Sequence, residues 1–270
     1  MAPGDPAGTG DAADRGEHPS PASALWDAPT YDRISDPMTR WGVEVLGRLA
    51  LSPGDTVLDA GCGTGRVTEL LLEKMVGGRV VALDADASML AEARRRLALF
   101  DDRIMYVEAD LLDLAPPMLG GWTPVDAVLS TATFHWVLDH DRLFQNLAQV
   151  LRPGGQLVAQ CGADGNIARL IEAVRATGSE RAGAWLYATP EDTRRRLAAS
   201  GFTDIVVWTH PEPTRISPAD LETYLETVCL RTHVASMVPD ERREFLRAVA
   251  AALGEPVIDY VRLNIVARRG

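Results

Sequence analysis

From residue 56 onward, short apolar runs alternate with stretches whose apolar residues recur every three or four positions. The first run, Thr56-Val57-Leu58-Asp59-Ala60, ends against Gly61, Gly63 and Gly65. This pattern predicts a buried strand, a tight turn without Cβ atoms and the start of a helix. Val67, Leu70, Leu71 and Met75 follow at helical spacing, and Gly77-Gly78 closes that helix. Further strands are predicted at 79–84, 104–107, 125–130 and 156–161. Between them, a helix over 87–100 turns Leu90, Ala93 and Leu97 inward, and one over 141–151 carries Leu143, Phe144, Leu147 and Val150 on one face. Arg152-Pro153-Gly154-Gly155 is read as the stop between that helix and the fifth strand. Repeated β–α units predict an α/β fold with a doubly wound, mostly parallel sheet.

The flanks are patterned differently. Residues 1–24 are rich in Gly, Pro, Ala and Asp without periodicity and are read as a disordered leader. Order is expected from Leu25-Trp26-Asp27, with Met38, Trp41, Val45, Leu46 and Leu49 on one helix. Thr189-Pro190-Glu191-Asp192 and Ser217-Pro218-Ala219-Asp220 each join a hydroxyl cap, a proline at the first helical position and an acid three residues on. Strands at 204–208 and 258–267 bracket two helical patterns. The insertion, about 214–255, is read as a helical cap on one domain spanning 25–270, because some 40 residues rarely fold alone.

Composition narrows the class. With 46% hydrophobic residues the chain buries a substantial core. Its net charge of −11 argues against a duplex nucleic-acid binder. No apolar run approaches the roughly 20 residues that span a bilayer, and no signal peptide is visible. Cys62, Cys161 and Cys229 are far apart and fit neither a disulfide framework nor a metal site. A reduced, cytoplasmic enzyme fits this balance.

The glycine spacing is G-x-G-x-G, with Asp59 two residues before Gly61. It is not the G-x-G-x-x-G that seats a dinucleotide pyrophosphate, which disfavours a nicotinamide enzyme. Glycines here let backbone N–H groups and a helix N-terminus approach a ligand. Asp84 ends the second strand beside this turn, where an acid can accept both hydroxyls of a ribose. Asp86 is the competing acid, and a helix-capping role is the alternative for Asp84.

The run Asp59 to Arg66, D-A-G-C-G-T-G-R, with Val81-Ala82-Leu83-Asp84, Glu108-Ala109-Asp110-Leu111, the His-Trp pair and Leu151-Arg152-Pro153-Gly154-Gly155, resembles class I S-adenosylmethionine-dependent methyltransferases. The resemblance implies a seven-stranded Rossmann-like sheet with an antiparallel last strand. It implies S-adenosyl-L-methionine as cofactor and S-adenosyl-L-homocysteine as product. Asp59, Ala60, Gly61, Gly63, Gly65, Asp84, Ala85 and Met89 would then form the cradle, with Met89 packing on the adenine. Asp110 would accept the adenine amine beside Ala109, the Leu111 N–H would serve a ring nitrogen, and Ser130 and His135 would close the far side. Tyr31 or Arg40 would hold the methionine carboxylate, a plain surface role being the alternative for Arg40.

The loop Ser130-Thr131-Ala132-Thr133-Phe134-His135-Trp136 lacks the Asn/Asp-Pro-Pro-aromatic motif often carried by methyltransferases acting on exocyclic amines of bases or on glutamine. Its His-Trp pair resembles small-molecule enzymes such as the trans-aconitate carboxyl methyltransferases. The implied activity is methyl transfer to oxygen, a carboxylate or hydroxyl, of a small molecule. His135 would be base or orienting group, or else a structural histidine. Phe134, His135, Trp136, Asn166 and Tyr224 are candidates for the acceptor wall. Arg262 and Asn264 share one face of the last strand and are expected to be exposed. The expected partner is a small-molecule methyl acceptor, with no nucleic acid, membrane or metal, in a monomer or homodimer, and natural-product biosynthesis is a fitting role. The alternatives are a cyclase or decarboxylase using the same cofactor without transfer, a C- or N-methyltransferase, and a non-catalytic binding protein.

Overall fold

The computed structural model describes residues 28, 30, 36–179 and 183–270. The leader, the expected onset of order at 25–27 and Tyr31 lie outside the described residues. Helix α1 (Asp36–Leu46) precedes β1 (Thr56–Ala60), α2 (Arg66–Lys74), β2 (Arg79–Asp84), α3 (Ala87–Arg96), β3 (Ile104–Glu108), β4 (Val125–Thr131), α4 (His140–Val150) and β5 (Leu151–Gly162). The chain continues through α5 (Ala168–Ala176), α6 (Pro190–Ala199) and β6 (Phe202–Arg215). A short α7 (Leu221–Tyr224) runs into a π-helical turn (Leu225–Cys229), then come α8 (Arg231–Val234), α9 (Pro239–Leu253) and β7 (Val257–Arg269).

The strands form one sheet in the order β3-β2-β1-β4-β5-β7-β6. The pairings from β3 to β5 are parallel, and β7 runs antiparallel between β5 and β6. Both faces are covered. Leu58 and Ala60 of β1 enter one apolar layer with Phe134, Phe144 and Leu147, while Val57 enters the other with Val45, Leu71 and Leu90. That alternation is the two-residue period of a strand, used on both sides. The sheet reverses its order between β1 and β4, so a crevice opens at their carboxyl ends, where ligands of such folds sit.

Several boundaries move. The Arg-Pro-Gly-Gly segment lies within β5, because Leu151 already pairs with Val125 across an irregularity in the β4–β5 register. β6 is longer than expected and pairs with β7 from Phe202 to Arg215. Thr189 caps α6 as predicted, its hydroxyl accepting the Asp192 N–H at 3.1 Å. Ser217 instead accepts from Ala219 in a turn, and the helix starts only at Leu221. The insertion shares one apolar cluster with Trp41, Leu170, Ile258 and Tyr260, so it packs on α1, α5 and β7.

Candidate active site

The glycine turn is bound to β2 by its own amides. Gly61 N–H and Cys62 N–H donate to the Leu83 carbonyl at 2.8 and 2.9 Å, and Gly63 N–H donates to Asp84 Oδ2 at 2.8 Å. These amides hold the turn against β2 and fix Asp84 beside it. A Cβ at Gly61 would lie 2.3 Å from Thr133, and one at Gly65 would lie 3.0 Å from Leu97. One at Gly63 would meet nothing within 4 Å. Two glycines thus serve close packing, and Gly63 faces open space.

Four acids stand at or just after the carboxyl ends of β1, β2 and β3. Asp59 is buried, and its Oδ2 accepts the Thr68 hydroxyl at 2.6 Å. Its Oδ1 is buried without a hydrogen-bond partner. Burial pushes this carboxyl up to about 7, the Thr68 bond opposes that, and the Asp84 charge adds to it. Asp84 is half-buried, with Oδ1 accepting the Asp86 N–H at 3.0 Å; burial raises it too. Asp86 is the helix cap, accepting from Ser88 N and Met89 N at 2.9 and 3.2 Å. That leaves Asp84 at the crevice. Asp110 Oδ1 accepts the Leu112 N–H at 2.8 Å, and Ala109 N–H ties this segment to the Asp84 carbonyl at 3.1 Å. Met89 and Leu111 are buried and Ala85 is exposed. The open face at Gly63 and the unpartnered Asp59 oxygen fit a cationic cofactor with an ammonium group. Ser130 hydroxyl donates to the Ala60 carbonyl at 2.7 Å, joining β4 to the turn. Exposed Arg40 is engaged with Glu212 of β6 at 2.8 Å.

A second, narrow cleft with about 40 Å³ of interior space adjoins the loop after β4. His135, Trp136, Asn166, Trp185, Tyr187 and Arg262 line it, with Trp41 and Tyr260. His135 is buried and accepts the Gly162 N–H on Nδ1 at 3.4 Å. Burial first, then the Arg262 charge, then His140, holds its pKa well below the usual histidine value. With Nδ1 accepting that amide, Nε2 is the ring nitrogen left to donate. Tyr187 stacks on His135 with centroids 5.9 Å apart and on Trp185 at 5.7 Å. Leu186 N–H donates to the His135 carbonyl at 2.9 Å, which fixes that wall. Asn166 Oδ1 accepts the Val261 N–H at 2.9 Å.

Two candidates are placed elsewhere. Phe134 is a core residue, edge-on to Phe144 at 6.1 Å. Tyr224 is buried and bonded to the Tyr260 hydroxyl at 2.8 Å, outside the lining of the cleft. The exposure expected for the last strand is overturned, since Arg262 is 2% and Asn264 0% exposed. The reason is topological: β7 is an interior strand between β5 and β6, so both its faces are covered. Trp185 and Tyr187 escaped the sequence reading, although the Trp-Leu-Tyr alternation just before the Thr189 cap was a usable signal, and Arg262 was read only as an exposed residue.

The sheet order, the turn and its acids define the class I methyltransferase architecture, and residues 57–155 match the family model described as a methyltransferase domain. The matched domain and the relatives that follow support an S-adenosylmethionine-dependent methyltransferase enzyme of this fold. Among its relatives, trans-aconitate 2-methyltransferase of Azoarcus sp. (strain BH72) is 29% identical over 267 residues, covering 90% of this chain and 99% of that protein. Haemonchus contortus phosphoethanolamine N-methyltransferase 2, solved with phosphomonomethylethanolamine and S-adenosylhomocysteine, shares the fold with a TM-score of 0.57. It is 19% identical, over 85% of this chain and 52% of that one. The [4+2]-cyclase SpnF shares the fold with a TM-score of 0.56 at 19% identity, over 86% of this chain and 80% of that one. Among the described residues, no helix is long and apolar enough to cross a membrane.

Proposed function

We propose that the chain methylates a carboxylate oxygen of a small molecule. S-adenosylmethionine, when bound, supplies an electrophilic methyl group on a sulfonium. Asp84 accepts the ribose hydroxyls, Asp110 and the Leu111 N–H read the adenine edge, and the free Oδ1 of Asp59 takes the ammonium. The acceptor enters the aromatic cleft beside His135. The relation to trans-aconitate 2-methyltransferases supports a carboxyl acceptor.

The observation that carries this reading is that the described lining offers no ready general base. Among the described residues, no carboxylate lines the cleft. Burial pushes Tyr187 and Tyr260 up, and Cys229 up to about 12. His135 keeps its one lone pair on the Gly162 amide. A hydroxyl acceptor would need its proton removed, whereas an ionised carboxylate needs only orientation and desolvation. His135 then acts as a donor through Nε2–H. The test is release of S-adenosylhomocysteine from S-adenosylmethionine across small carboxylic acids, trans-aconitate included, and phenols. Carboxylic acids are expected to turn over, with a kcat that shows no limb at the usual histidine pKa, which burial lowers in His135. His135→Ala is expected to lose about a hundredfold in kcat with cofactor affinity retained. Turnover confined to phenols, or a limb near pH 6.5 that His135→Gln removes, would overturn it.

A further inference from the structure

Arg262 has no part in the turnover just described, and its surroundings demand an explanation. It stands on β7 opposite Gly162, the last residue of β5. Trp41 lies under its guanidinium at 4.3 Å from the ring centroid, and Tyr260 is 6.0 Å away. Nε donates to Gln160 Oε1 at 3.3 Å, while Nη2 is buried without a hydrogen-bond partner. Among the described residues no carboxylate pairs with it. A buried guanidinium with an unmet donor is costly, and the aromatic faces leave only its planar edge to be used. Arg262 is part of the cleft lining, and a carboxylate matches a guanidinium edge through two parallel hydrogen bonds.

We propose that Arg262 is the anion anchor of the acceptor cleft, gripping a carboxylate of the acceptor other than the one methylated. This rests on the cleft being the acceptor site. A guanidinium on the reacting oxygen would draw off the electrons it must donate and set a second cation beside the sulfonium. Held on a remote carboxylate, the same charge positions the acceptor without weakening its nucleophile. The cofactor's own carboxylate is the rival occupant. Arg262 keeps company with Trp185, Tyr187 and Cys229 on the β5–β7 side, whereas the acids that fit the cofactor stand on β1, β2 and the segment after β3.

Calorimetric titration of the chain saturated with S-adenosylhomocysteine decides between them, with succinate and its uncharged diamide succinamide as probes. Wild type is expected to bind succinate at least tenfold more tightly. Arg262→Gln is expected to bring that ratio close to one and leave S-adenosylhomocysteine affinity within twofold, and Arg262→Lys to restore part of the ratio. A wild-type ratio near one overturns the proposal, and needs no variant to fold. So does a ratio preserved in Arg262→Gln, or a parallel loss of S-adenosylhomocysteine affinity, which would assign Arg262 to the cofactor. If Arg262-dependent succinate binding is found but no carboxylic acid yields S-adenosylhomocysteine from S-adenosylmethionine, the transfer reading falls and the anchor stands.

Discussion

The two ends of the crevice carry opposite charge by opposite means. Asp59, Asp84, Asp86 and Asp110 stand at or just after the carboxyl ends of β1, β2 and β3, while the cleft beyond His135 is aromatic, holds Arg262 and has no acid among its described lining. In a low-dielectric setting each end favours a ligand of the other sign and repels its own. A cationic cofactor and an anionic acceptor would thus be sorted to their places before any specific contact forms. The cap reaches across from the acceptor side, Arg231 of α8 standing 3.9 Å from Asp86. The acidic end is also rigid, because every acid in it is tied to a backbone amide or hydroxyl.

Breaking the turn tests that rigidity with the largest effect. Gly61 has φ 84° and no room for a Cβ, so Gly61→Ala combines backbone strain with a clash against Thr133. A loss of about 3 kcal/mol is expected in chemical denaturation. Gly63→Ala has φ 53° but open space, so about 1 kcal/mol is expected, with cofactor binding hit harder than stability. Equal destabilisation would deny the division between packing glycines and an open one. Next comes Asp84→Ala, expected to weaken S-adenosylhomocysteine binding at least tenfold, about 1.4 kcal/mol. Succinate binding in the other cleft should be untouched, and unchanged cofactor affinity would remove the ribose assignment.

The same contrast explains what the sequence made legible. The acidic end is built from strand ends and the turns that follow them, between residues 56 and 111, so its residues stand in short motifs with fixed offsets. Asp86 as cap and Asp84 as crevice acid separate only in three dimensions, but both are visible in one pentad. The acceptor cleft draws Trp41, His135, Trp185 and Arg262 from four distant segments. Only His135 follows a strand in the sheet half whose order the alternating pattern predicts. Arg262 was misjudged because a polar residue alternating with apolar ones reads as solvent-facing on an edge strand, and burial came from β6 adding outside β7. Tyr224 failed in the opposite sense, as Tyr260 stands between it and the cleft function proposed here.

The smallest effect expected is also the most diagnostic of the acidic end. Burial raises Asp59 from 3.8 to about 7 in the folded chain. A carboxyl raised on folding contributes stability that is fully present below its unfolded value and is lost as pH rises through the folded one. Asp59 therefore makes the cofactor-free chain less stable between about pH 4 and 7, with no further change above. Cofactor binding reverses the sign, because an ammonium beside Oδ1 favours the ionised form. S-adenosylhomocysteine affinity should rise about fivefold from pH 6 to 7 and less than twofold from 7 to 8. Asp59→Asn, which keeps the shape and the Thr68 contact but cannot ionise, should flatten that dependence. A slope that survives the substitution would move the ammonium away from Asp59 and leave the buried oxygen without a ligand.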